Sequence, residues 1–124
     1  MSEVAQKNAL VLALVGDAVM TLATRQSLAT TTNLNADEIH KKVAKIICAK
    51  GQSLRFEKIK GELTDVEENI ANRARNAKHH TTPKSCTLVQ YRSATALEAV
   101  IGYNFLVGNT QRCNQLIGIE EVEC

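Results

Sequence analysis

At 124 residues with a net charge of +2, the chain is long enough for one domain that buries about two-thirds of the surface its unfolded form would expose, and too short for two. A single proline, no tryptophan, two tyrosines and two phenylalanines favour helix over sheet. Cys48, Cys86, Cys113 and Cys124 form no C-x-x-C pair and no zinc-like spacing. With no Gly-rich phosphate loop, nucleophile elbow or H-E-x-x-H either, the common nucleotide-binding and hydrolase motifs are excluded.

In chain order, the first helical pattern runs from about Ala5 to Leu28, as one helix or as two meeting near Gly16, and ends in the Thr-rich stretch 29–33. Its apolar run Ala9 to Val15 falls far short of the ~20 residues that span a bilayer and is followed at once by Asp17. That points to a soluble, cytoplasmic protein, or an organellar one if the chain is a processed form, without membrane contact and with free thiols. Leu10, Ala13, Leu14, Asp17 and Thr21 share a helical face, so Asp17 lies on or beside the stripe that meets the core. A Gly-Asp pair can equally mark an N-cap at a helix junction.

Asn35, followed by Asp37 and Glu38, reads as the cap of a long helix from Ala36 to about Lys58, bent at Gly51, with Ile39, Val43, Ile46, Ile47 and Leu54 at the helical period. Its other face carries His40, Lys41, Lys42, Lys45, Lys50 and Arg55, a stripe that is either solvated or turned to RNA. Thr64-Asp-Val-Glu67 is a capping box for a helix through about Ala77. A polar loop over 76–84 follows, with the adjacent His79 and His80 and the proline, Pro83. Ser93 to Leu106 is then a central helix whose only charge is Glu98. Asn109 caps a last short helix, and the termini, about 1–4 and 119–124, read as loose. The expected fold is all-α, about six helices with two of them central, in one domain over 1–124.

Two of these residues carry the chemistry. Asp17 and Glu98 each stand alone as an acid in an apolar helix; if the helices pack, the carboxylates meet in a poor dielectric, where at ~4 Å they repel by about 4 kcal/mol. A divalent cation between them removes the conflict. The charge is also unevenly spread: Ile70 to Leu97 holds Arg73, Arg75, Lys78, Lys84 and Arg92 and no acid, whereas acids crowd 62–68 and 120–123. Such asymmetry suits a polyanion-binding face.

Val15-Gly-Asp-Ala-Val19 and Ala96-Leu-Glu-Ala-Val-Ile-Gly102, in that order and separated by a basic loop, resemble the two acidic motifs of the ribonuclease III family. Asn76-Ala-Lys78, Thr81, Pro83-Lys84, Tyr91-Arg92, His40-Lys41, Ala49-Lys50 and Gln52 are similar to its short Mini-ribonuclease III branch. The resemblance implies a homodimeric, Mg2+-dependent endonuclease that cleaves double-stranded RNA, a ribosomal RNA precursor in particular, to 5′-phosphate and 3′-hydroxyl ends. Asp17 and Glu98 would be the catalytic and metal-binding acids, and Arg73, Arg75, Asn76, Lys78, Thr81, Lys84, Tyr91 and Arg92 the RNA-binding set. The dimer contact is expected on the face of the first helix carrying Val11, Val15 and Val19. The chain departs from the longer family members in having Ala13 and Thr95 where they carry two further acids, and it leaves no room for their double-stranded-RNA-binding domain. The alternative is a catalytically inactive, ribonuclease III-like RNA-binding or ribosome-associated module.

Overall fold

Asn35, Thr64 and Thr87 each begin a helix in the same way. The side-chain oxygen accepts from the backbone N–H three residues on, and Glu38, Glu67 or Gln90 reaches back to the N–H of the cap, so two groups that a helix start leaves unpaired are satisfied reciprocally. The computed structural model of the chain describes residues 3–78 and 84–118. Within them lie six α-helices: α1 (Ala9–Thr31), α2 (Ala36–Ile46), α3 (Ala49–Ile59), α4 (Asp65–Asn76), α5 (Leu88–Leu106) and α6 (Thr110–Leu116). Short 3-10 turns occur at Val4–Gln6 and Lys60–Glu62, and there is no strand among the described residues.

The all-α expectation holds, with corrections inside it. The first helix is continuous through Gly16 and not two helices meeting there, which removes the N-cap reading of Asp17. The long helix expected over 36–58 is two helices. The break falls at Ile47 and Cys48, where the Cys48 sulfur accepts from the Gly51 N–H at 3.4 Å and so caps α3; Gly51 lies inside its first turn. The central helix also begins earlier than expected, at Leu88. Cys113 is a free thiol, but Cys48 is disulfide-bonded, which corrects the expectation of free thiols. The acidic tail from 120 lies outside the described residues.

Helix α5 is the centre. Packed against α1, α3, α4 and α6, it buries Ala94, Ala96, Leu97, Ala99, Val100 and Ile101, the all-round burial expected of a helix without a polar face. Its closest neighbour is α1. A Cβ on Gly16 would lie 1.7 Å from the Glu98 carbonyl oxygen, and one on Gly102 would lie 1.9 Å from that of Leu12. Only glycine permits such an approach, so the two helices cross backbone to backbone at Gly16 and Gly102. Helix α1 is, by length and composition, long and apolar enough to cross a membrane, a property that counting only Ala9 to Val15 misses. One face of it is nonetheless core: Leu12, Ala13, Gly16, Met20 and Thr24 are buried, whereas Leu14, expected on that face, is 72% exposed.

A buried ion pair fastens α4 to α6. Both Glu67 oxygens are fully engaged, by Arg112 Nη2 at 2.7 Å and Nε at 2.9 Å, Asn104 Nδ2 at 2.8 Å and the Thr64 N–H at 2.9 Å. Burial pushes the Glu67 carboxyl upward, but the Arg112, Thr64 and Asn104 bonds outweigh it and hold the group down at about 2.

Candidate nuclease site

The glycine crossing dictates the site. Asp17 follows Gly16, and the Gly16 backbone touches that of Glu98, so two acids 81 positions apart in sequence are brought to one place. Their environments differ. Asp17 is exposed and Glu98 half-buried. Burial, then the negative charge of Asp17 and a hydrogen bond shared with it, push the Glu98 carboxyl up to about 8, with the Gln52 amide pulling weakly the other way. No lysine or arginine is among the groups that act on Glu98, which are Asp17 and Gln52. The site is thus an uncompensated acid pair, partly open to solvent.

The donor set fits a hard divalent cation. Among the described residues it consists of carboxylate oxygens without thiolate or imidazole, and the Gln52 amide that bonds Glu98 has a buried Oε1 with no hydrogen-bond partner, a deficit worth about 1–3 kcal/mol if nothing meets it. Asp17 and Glu98 could hold such an ion with water completing its shell. No cluster of three or more His, Cys, Asp or Glu occurs among the described residues. The two positions where longer relatives would carry further acids are closed. Ala13 is buried, and the Thr95 hydroxyl donates to the Tyr91 carbonyl at 2.9 Å within its own helix.

The basic residues separate into two kinds. Arg73 is spent on structure: its guanidinium donates to the carbonyls of Ala5 and Lys7 and to Asn69 Oδ1, tying the N-terminal turn to α4. Arg75 bonds Asn72 Oδ1 and lies over the Phe56 ring, 5.6 Å from its centroid. Asn76, the last residue of α4, is exposed, as are Lys78, Lys84 and Arg92; Tyr91 is half-buried. Thr81, with the His79-His80 pair and Pro83, lies outside the described residues. In the stripe read from α2 and α3, Arg55 donates to the Gln115 and Leu116 carbonyls at 2.9 Å and finishes α6, while Lys41 forms an exposed pair with Asp37.

Sequence reasoning quoted Gln52 but gave it no role. The signal was present: it stands four residues before Phe56 and seven before Ile59, both core, so an amide occupies a position that helical periodicity assigns to the interior.

The family model described as Ribonuclease III domain matches residues 10–109. This chain belongs to the ribonuclease III family. Within the family it falls in the Mini-ribonuclease 3 branch. It is 37% identical over 108 residues to the Mini-ribonuclease 3 of Thermoanaerobacter sp. (strain X514), covering 87% of this chain and 76% of the relative. It is 34% identical over 120 residues to the Mini-ribonuclease 3 of Streptococcus pneumoniae, covering 94% of each. The crystal structure of a Fusobacterium nucleatum protein superposes with a TM-score of 0.81 at 36% identity, covering 88% of this chain and 87% of that one. The ribonuclease III domain and its Mini-ribonuclease 3 relatives make the chain an endoribonuclease, and the acid motifs that first suggested the family both lie within the matched residues.

Proposed function

We propose that this endoribonuclease hydrolyses double-stranded RNA with magnesium, acts as a homodimer, and trims ribosomal RNA precursors. The observation that carries the reading is the convergence of Asp17 and Glu98 at the α1–α5 crossing. Asp17, open to solvent, and Glu98, held by the α1–α5 crossing, would be the two protein ligands of the cation. When bound, the ion favours ionisation of an attacking water and offsets charge growing on the scissile phosphate. Water attacks phosphorus, the bond from phosphorus to the 3′ oxygen breaks, and the strands end in 5′-phosphate and 3′-hydroxyl. Duplex RNA presents phosphates and 2′-hydroxyls across a shallow minor groove, so the exposed Lys78, Lys84 and Arg92 suit recognition by shape.

Cutting both strands calls for two sites related by a two-fold axis. The exposed face of α1 supports that arrangement: Leu14, Val15, Ala18, Val19 and Leu22 with Phe105 of α5 line an open apolar groove of about 390 Å³. Leu14 and Leu22 are 72% and 66% exposed there, a patch that favours a self-complementary contact. The groove includes Val15 and Val19 of the face expected from sequence, with Leu14 and Leu22 as its most exposed members.

Purified protein incubated with a long RNA duplex, with magnesium or with chelator, tests the reading. Magnesium-dependent cleavage that is lost in Asp17→Ala is expected. Intact duplex under every condition would favour the second reading, an inactive RNA-binding module, which Ala13 and the self-satisfied Thr95 motivate.

A further inference from the structure

Gln52 of α3 is 4% exposed, and its Oε1 is a buried side-chain oxygen with no hydrogen-bond partner. The orientation of the amide is set by its neighbour. Its Nε2 donates to the Ile47 carbonyl at 2.8 Å, and a carbonyl can only accept, so nitrogen must occupy that end. The same amide is hydrogen-bonded to the Glu98 side chain, so the amide group stands against the acid pair. An ionised carboxylate offers no proton, and a protonated Glu98 shares its one proton with Asp17, so neither acid satisfies this oxygen. The site therefore lacks two things in one place: positive charge for the acids and a hydrogen-bond donor for the amide.

A hydrated hard cation supplies both. Magnesium retains several of its waters, and water bound to a cation presents its hydrogens outward. We propose that Gln52 is a positioning residue of the metal centre, its Oε1 accepting a hydrogen bond from a water in the hydration shell of the divalent cation held between Asp17 and Glu98. The bond from Nε2 to Ile47 fixes the direction of that acceptor, so the α2–α3 turn, through Gln52, orients the ion's shell. Phe56 and Ile59, on the same helix, belong to the core, so Gln52 places an amide on the buried side of α3. The inference rests on the nuclease reading and deepens it.

The test needs no RNA. Metal-stripped full-length protein is titrated with Mn2+ and followed by the electron paramagnetic resonance of the free ion, for wild type, Asp17→Asn and Gln52→Leu, with circular dichroism to establish helix content. Wild type is expected to bind, Asp17→Asn to lose binding, and Gln52→Leu to bind at least tenfold more weakly with its helices intact. A second measurement is independent of how that variant folds: in wild type, the carbon-13 resonance of the Gln52 side-chain carbonyl should shift as Mg2+ is added, saturating with the site. Gln52→Leu binding as tightly as wild type, or a resonance unmoved at saturating Mg2+, overturns the inference while the nuclease reading stands. Wild-type protein that binds neither ion overturns both.

Discussion

The Cα of Gly16 faces the main chain of Glu98 so closely that a Cβ on the glycine would lie 1.7 Å from the Glu98 carbonyl oxygen. Because the obstruction is backbone, no side-chain rotation can relieve it. Gly16→Ala is expected to force α1 and α5 apart and to destabilise by at least the upper end of the ~1–3 kcal/mol typical of overpacking. Gly102→Ala should do the same through the Leu12 carbonyl. Gly61→Ala, where an added Cβ meets nothing within 4 Å, is the control. Urea midpoints for the three variants check this.

Stability should depend on pH through Glu98. Its carboxyl lies at about 8 in the folded chain, above the ordinary 4.5. Between those values the native state holds a proton that the unfolded state has released, so in chelator stability falls as pH rises from 4.5 to 8. Glu98→Gln should flatten that decline and leave the protein more stable than wild type at pH 8. Magnesium should recover part of the loss in wild type only. Thermal midpoints from pH 5 to 9, with and without the ion, measure both effects.

Glu67 should act in the opposite direction. Its carboxyl is held at about 2, so the unfolded state takes up the proton first, and the stability it contributes is present above 4.5 and lost as pH falls toward 2. With Glu67 almost fully enclosed and the Arg112 side chain only 20% exposed, Arg112→Ala strands a buried charge and should cost about 3–5 kcal/mol at neutral pH. Denaturant unfolding of Arg112→Ala and of the double variant with Glu67→Gln separates the pair energy from the stranded charge.

RNA affinity should distinguish the two kinds of arginine and lysine. Lys78→Ala, Lys84→Ala or Arg92→Ala should weaken duplex binding similarly across sequences and reduce the slope of log affinity on log salt by about one unit each. Arg73→Ala, whose guanidinium holds Ala5 and Lys7, should instead lower the melting temperature and leave the salt slope unchanged. Filter binding at several salt concentrations, beside a melting curve, reads both.

Leu14→Glu with Leu22→Glu places charge in the apolar groove of α1 without touching the face against α5. Sedimentation should show monomers with native helix content, and double-strand cleavage should fall.

The acid pair was legible in the sequence because ionised groups in apolar helices conflict with their surroundings and so stand out. Gln52 was not, since an uncharged amide in a mixed segment breaks no visible pattern. The split between α2 and α3 was hidden by its chemistry: the cap is the Cys48 sulfur, outside the Ser, Thr, Asp and Asn set by which helix starts are recognised. The early start of α5 was readable, because Thr87-Leu-Val-Gln90 repeats the pattern of Thr64-Asp-Val-Glu67. It was missed because Leu88 and Val89 are exposed and do not extend the apolar pattern of the helix that follows. Arg73 misled for a related reason. Formal charge is visible in a sequence, whereas the carbonyls that occupy a guanidinium come from a segment 66 and 68 residues away.

The meeting of α1 and α5 has a consequence for how such an enzyme can change over time. The helices that carry its two acids are spaced by main chain, so the interval between those backbones cannot be adjusted by trading one rotamer for another. Drift toward larger residues at Gly16 or Gly102 would damage folding and cleavage in the same stroke. Descendants are therefore free to vary away from this crossing, while the ruler that sets the interval between the two acid-bearing helices stays the same length.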